Sequence, residues 1–128
     1  MPFINVKVTG LRLAPEQTVA IQTGITSLMT DVLRKQRPLI TVLVEEVPSS
    51  GWAIGGEAVT RAVHVDATIS EDTNTPEEKA RFIAETNDLL REILGHNLHV
   101  VSYIVVHDIP KNSWGYCGLT QGHRARCV

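Results

Sequence analysis

The chain has 128 residues, of which 43% belong to the hydrophobic class and 20% are charged. This size and composition predict one globular domain spanning residues 1–128. A net charge of −2 gives no general reason to expect nucleic acid or an anionic membrane as a partner. No apolar run approaches the roughly 20 residues of a membrane helix, and the N-terminus lacks a signal-peptide core, so we expect a cytoplasmic protein.

The first half of the sequence predicts a strand, a helix and a strand. Residues 3–9 alternate between apolar and polar side chains, as a half-buried strand does. A helix begins near Ala14-Pro15, because the first helical turn tolerates proline, and Pro38 stops it. The apolar run 39–44 predicts the second strand. A loop and a short glycine-rich hairpin over residues 52–56 follow.

The second half repeats this order, with a strand over 61–69, a helix over 75–94 and a strand over 99–108. The offset is 61 residues from Pro15 to Pro76 and 62 residues from Trp52 to Trp114. Such a constant offset indicates an internal duplication. It predicts an α+β fold, an α/β sandwich in which two β-α-β units form one four-stranded sheet with both helices on one face.

The uncovered face of that sheet is predicted to keep apolar side chains from the 39–44 and 100–106 strands. An apolar sheet face of this size needs a cover, and the chain offers no third layer. Other copies of the chain are the natural cover, so we expect an oligomer.

Pro2 has two interpretations at this point. Proline cannot donate to a sheet ladder, so the first position of a strand is one of the few that tolerate it. Removal of Met1 would instead leave Pro2 with a secondary amine, whose pKa falls when it is buried or lies near a cation. An amine tuned toward neutrality can take and return protons.

These features together resemble the tautomerase superfamily, and within it the 4-oxalocrotonate tautomerase group. The resemblance is carried by four short motifs: Pro2-Phe3-Ile4, Gly10-Leu11-Arg12, Pro15-Glu16-Gln17 and Gly51-Trp52-Ala53-Ile54-Gly55-Gly56-Glu57. Residues 2–59 match one short family subunit and residues 62–119 a second, more diverged one. The whole is similar to fused members, and the tail at 120–128 lies outside the resemblance.

The resemblance implies an isomerase that moves a proton in small unsaturated keto or enol acids, without a cofactor and without a metal. It implies Pro2 as the general base, Arg12 as a catalytic arginine that orients substrate oxygens, and Trp52 as an apolar wall. Tyr103 is a further substrate-binding candidate because its phenol can donate a hydrogen bond. A guanidinium suits this chemistry because it stabilises enolate charge and clamps carboxylates. By analogy with six short subunits, the resemblance implies a homotrimer of fused chains.

The chain departs from the family pattern at several positions. The second family arginine falls at Thr41, and the second-half counterparts of Pro2 and Arg12 are Val63 and Thr73. An internal residue such as Val63 has no free amine, so the second half is expected to serve as scaffold and as a donor of residues. What replaces the missing arginine stays open.

Two alternatives to a tautomerase stay open as well. A hydratase or dehalogenase of small unsaturated acids would use the same proline as an acid, with a carboxylate to activate water. A catalytically silent oligomeric binding protein would explain the missing arginine.

The remaining polar residues suggest no second site. His96 and His99 are not spaced as a convincing metal site. Cys117 and Cys127 are expected as two thiols, with a disulfide left open. The basic tail with Arg124 and Arg126 is too short to indicate nucleic acid, and one role considered for it is to reach a neighbouring subunit's site.

Overall fold

A computed structural model describes residues 2–126, so Met1 and Cys127 lie outside the described residues. In chain order the elements are β1 (Phe3–Thr9), α1 (Pro15–Asp31), β2 (Thr41–Val47), β3 (Ala53–Ile54), β4 (Glu57–Ala58), β5 (Ala62–Ser70), α2 (Pro76–Leu94), β6 (Ile104–Ile109), β7 (Gly115–Tyr116), β8 (Leu119–Thr120) and α3 (Gln121–Arg126). None of the helices in this part of the chain is long and apolar enough to cross a membrane.

The central sheet has four strands in the order β2-β1-β5-β6. Strand β1 is parallel to β2, and β5 is parallel to β6, so each half of the chain is one β-α-β unit. The two units meet where β1 pairs antiparallel with β5. Helices α1 and α2 pack together on one face of the sheet. The predicted tandem β-α-β fold is confirmed.

The hydrophobic core lies between that sheet face and the two helices. Alternate residues of β1 and β5 point into it, as the period of a strand requires. These strand residues meet fully buried side chains of α1 and α2; the principal members are Ile4, Val6, Val8, Val65, Ala67, Ile69, Ile21, Ile25, Met29, Phe82 and Leu90.

The antiparallel β1–β5 pair places the beginnings of the two units at opposite ends of the sheet. Phe3 pairs with Thr68, whereas Thr9 pairs with Ala62. At about 3.3 Å per residue, the six steps from Phe3 to Thr9 span about 20 Å. Residues that precede β1 and residues that follow it therefore lie far apart.

Helix α1 ends earlier than the sequence indicates. It stops at Asp31, well before Pro38, and Arg34 adopts a left-handed conformation with φ of 59°. The N–H of Lys35 then donates to the carbonyl of Met29 at 3.0 Å. This closure reverses the chain without proline, and Pro38 lies instead in a single 3₁₀ turn over Arg37–Leu39.

Both outer strands begin later than predicted. Strand β2 starts at Thr41 because the 3₁₀ turn occupies residues 37–39. Strand β6 starts at Ile104, not at His99. Before it, the Val101 N–H donates to His99 Nδ1 at 3.0 Å and the Ser102 hydroxyl donates to the His99 carbonyl at 2.8 Å. These local bonds satisfy the backbone in place of a ladder.

The uncovered sheet face is mixed rather than uniformly apolar, which corrects the sequence prediction. Asn5 donates to Glu45 Oε1 and accepts from Lys7 Nζ, each at 2.8 Å. His107 Nε2 and Asp66 Oδ1 are also 2.8 Å apart. Exposed Phe3, Leu43 and Tyr103 supply the apolar part of this face. Val42 and Val44 pack instead against the core on the opposite face.

Two short hairpins follow the two β-α-β units. The β3–β4 hairpin turns at Gly55 and Gly56, and the β7–β8 hairpin turns at Cys117 and Gly118, all with positive φ. Such a pair of left-handed residues is what a tight two-residue hairpin turn requires. The second hairpin leads directly into α3.

Candidate active site at the Pro2 edge of the sheet

Pro2 is buried at the edge of the sheet where β1 begins. Its carbonyl accepts a hydrogen bond from the Thr41 N–H at 3.2 Å, one step before the Phe3–Thr41 pair. Continuing the register by one residue places Pro2 between Ile40 on β2's side and Ile69 on β5. The backbone around Pro2 is therefore held by strands on both sides.

A cavity of about 580 Å³ lies at this edge, and we call it the Pro2-edge cavity. Leu39 and Ser70, two of its lining residues, are the next residues along the chain after the two that flank Pro2. The lining also contains three cationic side chains from three separate segments: Lys35, which follows α1; Lys111, which follows β6; and Arg124, on α3.

Lys35 is held in a defined position by Thr73. Its Nζ donates to Thr73 Oγ1 at 2.8 Å, and that hydroxyl donates in turn to the Ser70 carbonyl at 2.6 Å. Burial lowers the pKa of Lys35 to about 8, and the charge of Arg34 lowers it further, while Glu78 and Asp108 oppose the shift. An ammonium has three donors, so two remain for a ligand after the bond to Thr73.

Arg124 is fixed against the second hairpin. Its Nη2 donates to the Tyr116 carbonyl at 2.7 Å, and its guanidinium carbon lies 3.6 Å from the centroid of the Tyr116 ring. This stacking orients the planar group. Its Nε is buried, and within residues 2–126 it has no hydrogen-bond partner.

The carboxylates nearest to Lys35 are engaged by other cations. Glu78 accepts from Arg34 Nε at 2.8 Å, and the hydrogen bond from Arg34 is the main reason that the pKa of Glu78 falls to about 2. Asp108 is paired with Lys79. No salt bridge within residues 2–126 involves Lys35, Lys111 or Arg124. The cavity therefore keeps a positive lining.

The other predicted site residues do not lie beside Pro2. Arg12 is exposed after the far end of β1, where it lines a shallow cleft with Glu46 and Pro48. Trp52 and Tyr103 are brought together with Val63. Val63 pairs with Val8, so this group also belongs to the far end of the β1–β5 pair. Within one chain, Pro2 is thus separated from Arg12, Trp52 and Tyr103.

Trp52 and Tyr103 line a cavity of about 450 Å³, which we call the Val63 cavity. His64 lines it too, with its Nε2 3.6 Å from Asp66 Oδ1, too long for a hydrogen bond. Within residues 2–126, no group of histidine, cysteine, aspartate and glutamate side chains is arranged to hold a metal ion. Cys117 is an exposed thiol in the second hairpin.

A family model described as Tautomerase enzyme matches the chain twice, over residues 2–62 and 62–124. The chain is a member of the Tautomerase family. The second match runs to residue 124 and so includes most of α3, which the sequence resemblance left outside.

Curated relatives of this tautomerase-family chain are about half its length. Probable tautomerase K2 of Dickeya dadantii is 38% identical over 60 residues, covering 47% of this chain and 90% of the relative. A probable tautomerase of Helicobacter pylori is 39% identical over 61 residues, covering 46% of this chain and 90% of the relative. One such protein therefore corresponds to one β-α-β unit here.

Solved structures match the whole tautomerase-family chain in fold. Pt0534 inactivated by 2-oxo-3-pentynoate superposes with a TM-score of 0.84 and 16% identity, covering 97% of this chain and 99% of that one. The Q0 fused 4-OT, described as a symmetric trimer, superposes with a TM-score of 0.83 and 19% identity over the same shares. At this identity the likeness establishes the shared fold.

Sequence reasoning missed the three cations at the Pro2 edge. One signal was present: Thr73 occupies the second-half position that corresponds to Arg12, so a cation there had to come from elsewhere. The structure places Lys35 against Thr73. Lys111 and Arg124 had no such signal, because only the tertiary fold brings their segments to this edge of the tautomerase-family chain.

Proposed function

We propose that this protein is a tautomerase that moves a proton between two carbons of a small unsaturated keto or enol acid, with the amine of Pro2 as general base. Membership of the Tautomerase family supports isomerase chemistry in general terms. The observation that carries the finer proposal is the position of Pro2, buried at the start of β1 beside a cation-lined cavity.

The mature chain in this proposal begins at Pro2. Burial and nearby cations both disfavour the charged amine, so they lower its pKa toward the working pH. The neutral amine takes a proton from a carbon next to the substrate carbonyl, and negative charge develops on the carbonyl oxygen. The protonated amine then returns that proton to another carbon of the conjugated system. Cationic groups around the cavity stabilise the developing charge.

The rigid start of β1 supports this role. The Thr41 N–H holds the Pro2 carbonyl at 3.2 Å, and Phe3 is paired with strands on both sides. A base attached to an immobile strand end keeps its orientation toward the substrate, which lowers the entropic part of the barrier.

Arg12, Trp52 and Tyr103 act on the same substrate only if another copy of the chain brings them to Pro2. We propose a homotrimer, for which the description of the fused 4-OT neighbour as a trimer is the motive. Light scattering checks it, and a stable monomer at micromolar concentration would contradict it. Within one chain, the cavity cations are the groups closest to Pro2.

A hydratase or dehalogenase is the weaker candidate. That chemistry needs a carboxylate to activate water, and the described lining of the Pro2-edge cavity contains no aspartate or glutamate. The silent binding protein is separated from the enzyme by activity alone.

The decisive experiment blocks the amine. Intact mass establishes whether the chain begins at Pro2, and phenylenolpyruvate serves as a generic enol substrate. Treatment with 2-oxo-3-pentynoate, the compound that inactivates the neighbour Pt0534, should add one equivalent of mass at Pro2 and abolish activity, because a neutral amine adds to a conjugated alkyne. A chain with two extra residues before Pro2 should be inactive too. Full activity in either protein would rule out the proline mechanism.

A further inference from the structure

We propose that Lys35, Lys111 and Arg124 form the binding site for the substrate's carboxylate, so that helix α3 completes the active site of its own chain. This inference deepens the proposed function and rests on it for the identity of the ligand as a substrate. The ligand chemistry is a small carboxylic acid in its ionised form.

The first support is convergence from separate segments. Lys35 lies between α1 and β2, Lys111 between β6 and β7, and Arg124 on α3, yet all three line one cavity. Like charges repel, so grouping three cations is unfavourable unless an anion compensates them. The available carboxylates of the chain do not, since Glu78 and Asp108 are paired with Arg34 and Lys79.

The second support is that the site is built and oriented before any ligand arrives. Thr73 holds Lys35, and Tyr116 holds Arg124 through both its carbonyl and its ring. The Gly122 N–H donates to the Lys111 carbonyl at 2.9 Å, which ties α3 to the segment that carries the second lysine. Preorganised donors lose little conformational freedom on binding.

The third support is unused hydrogen-bonding capacity. The buried Nε of Arg124 has no partner within residues 2–126, and a buried donor without a partner is costly. A guanidinium presents parallel donors that match the two oxygens of a carboxylate. Lys35 keeps two donors beyond its bond to Thr73.

The site also accounts for the departure at Thr41. The family arginine expected on the second strand is absent, and Thr41 lies exposed at the start of β2. Lys35, six residues earlier, supplies a cation at the same edge from the turn that follows α1. The carboxylate therefore keeps a cationic partner, provided by other segments of the chain.

The test measures binding of 3-phenylpropionate to the full chain by calorimetry. This acid has no carbonyl next to its side-chain carbons, so it cannot tautomerise, and its dissociation constant is independent of proton transfer by Pro2. The neutral 3-phenylpropanamide and inorganic phosphate are the comparison ligands. A Pro2→Ala chain should bind the acid as the parent does, which separates this inference from the proline mechanism.

We expect Lys35→Met, Lys111→Met and Arg124→Leu each to weaken binding of the acid by at least about tenfold, because each removes a charge-assisted contact. The matched control is Arg126→Gln, which removes one positive charge from the same helix outside the described cavity lining. It should stay within twofold of the parent. The amide should bind at least tenfold more weakly than the acid.

Arg124→Lys guards against a purely structural effect, because it keeps the charge and should retain most of the affinity. A loss in Arg124→Lys as large as in Arg124→Leu would overturn the assignment of Arg124. The proposal as a whole is overturned if all three neutral variants bind within twofold of the parent. It is overturned equally if Arg126→Gln loses as much as Arg124→Leu, or if phosphate binds as tightly as the acid.

Discussion

The Pro2-edge cavity and the Val63 cavity occupy equivalent places in the two units, yet their side chains differ in kind. The internal offset of 62 residues relates Leu39 of the first cavity to Val101 of the second, and Ile54 of the second to Tyr116 of the first. Both lie where a unit begins and where a hairpin packs near that beginning. They are two versions of one ancestral position.

Two differences separate the cavities. The strand beside the first begins with Pro2, which becomes an amine if Met1 is removed, whereas Val63 is always an internal amide. The first cavity also has three cationic side chains in its lining, and the Val63 cavity has His64 together with aromatic and apolar groups. Fusing two units frees one site from catalytic constraint, and the side chains of the second unit then serve packing or complete the first site.

The largest expected effect comes from changing the two strand starts in parallel. Pro2→Ala leaves a more flexible primary amine and should lower kcat/KM by about 10²–10⁴-fold, the usual contribution of a general base. Val63→Ala should leave kcat/KM unchanged and lower the free energy of unfolding by about 1.5 kcal/mol or more, because Val63 is 1% exposed. Steady-state kinetics and denaturant unfolding measure the two. Equal losses of activity would contradict the asymmetry.

The fold was predictable from the sequence because the duplication is visible in it. Equal offsets between prolines, helix starts and tryptophans specify two identical units, and few arrangements of two β-α-β units bury both helices. The starts of β2 and β6 were not predictable. Near Pro38 and His99, local turns and side-chain hydrogen bonds satisfy the backbone, and an apolar run alone does not reveal them.

The site was predictable only at Pro2. Its pairing with Arg12 within one chain overlooked strand direction, since β1 carries the two residues to opposite ends of the sheet. Lys35, Lys111 and Arg124 could not be found from spacing, because each follows a different element. Their convergence depends on where α1, β6 and α3 end, and these bounds are the least certain part of any sequence-based prediction.

The second prediction sharpens the comparison through pH. Burial lowers the pKa of Lys35 to about 8 in the unliganded protein; Arg34 and Lys111 add to that shift, and Glu78 and Asp108 oppose it. A bound carboxylate favours the charged form and raises this pKa. The dissociation constant for 3-phenylpropionate should therefore be nearly constant below pH 8 and rise by up to about tenfold per pH unit above it.

Calorimetry in two buffers of different ionisation enthalpy checks this by measuring proton uptake. Uptake should appear on binding at pH 8.5 in the parent and vanish in Lys35→Arg, because a guanidinium stays charged throughout this range. Uptake that persists unchanged in Lys35→Arg would assign the titration to another group.

The third prediction concerns the equivalent hairpin positions Tyr116 and Ile54. Tyr116→Leu removes the ring that orients Arg124 and should weaken binding of 3-phenylpropionate by about three- to tenfold, the range of a partly exposed cation–π contact. Ile54→Leu makes a similar-sized change at the same place in the Val63 cavity and should have no measurable effect on that binding. A loss of equal size in both variants would mean that both cavities bind the acid.

The smallest expected effect tests whether the far end of the sheet takes part at all. Arg12 is exposed, and the length of β1 separates it from Pro2, while three cations already line the cavity beside Pro2. We therefore expect Arg12→Ala and Tyr103→Phe each to change kcat/KM for an acid substrate by less than about threefold. The role that the family resemblance implies for Arg12 requires a second copy of the chain to deliver it, and subunit mixing separates the two cases. If Arg12 acts across copies, Arg12→Ala alone loses activity, and mixing it with Pro2→Ala restores part of that activity, because some sites then combine an intact Pro2 with an intact Arg12. If the cavity cations suffice, the mixture has the average activity of its two components, and each chain carries a complete site built from its own residues.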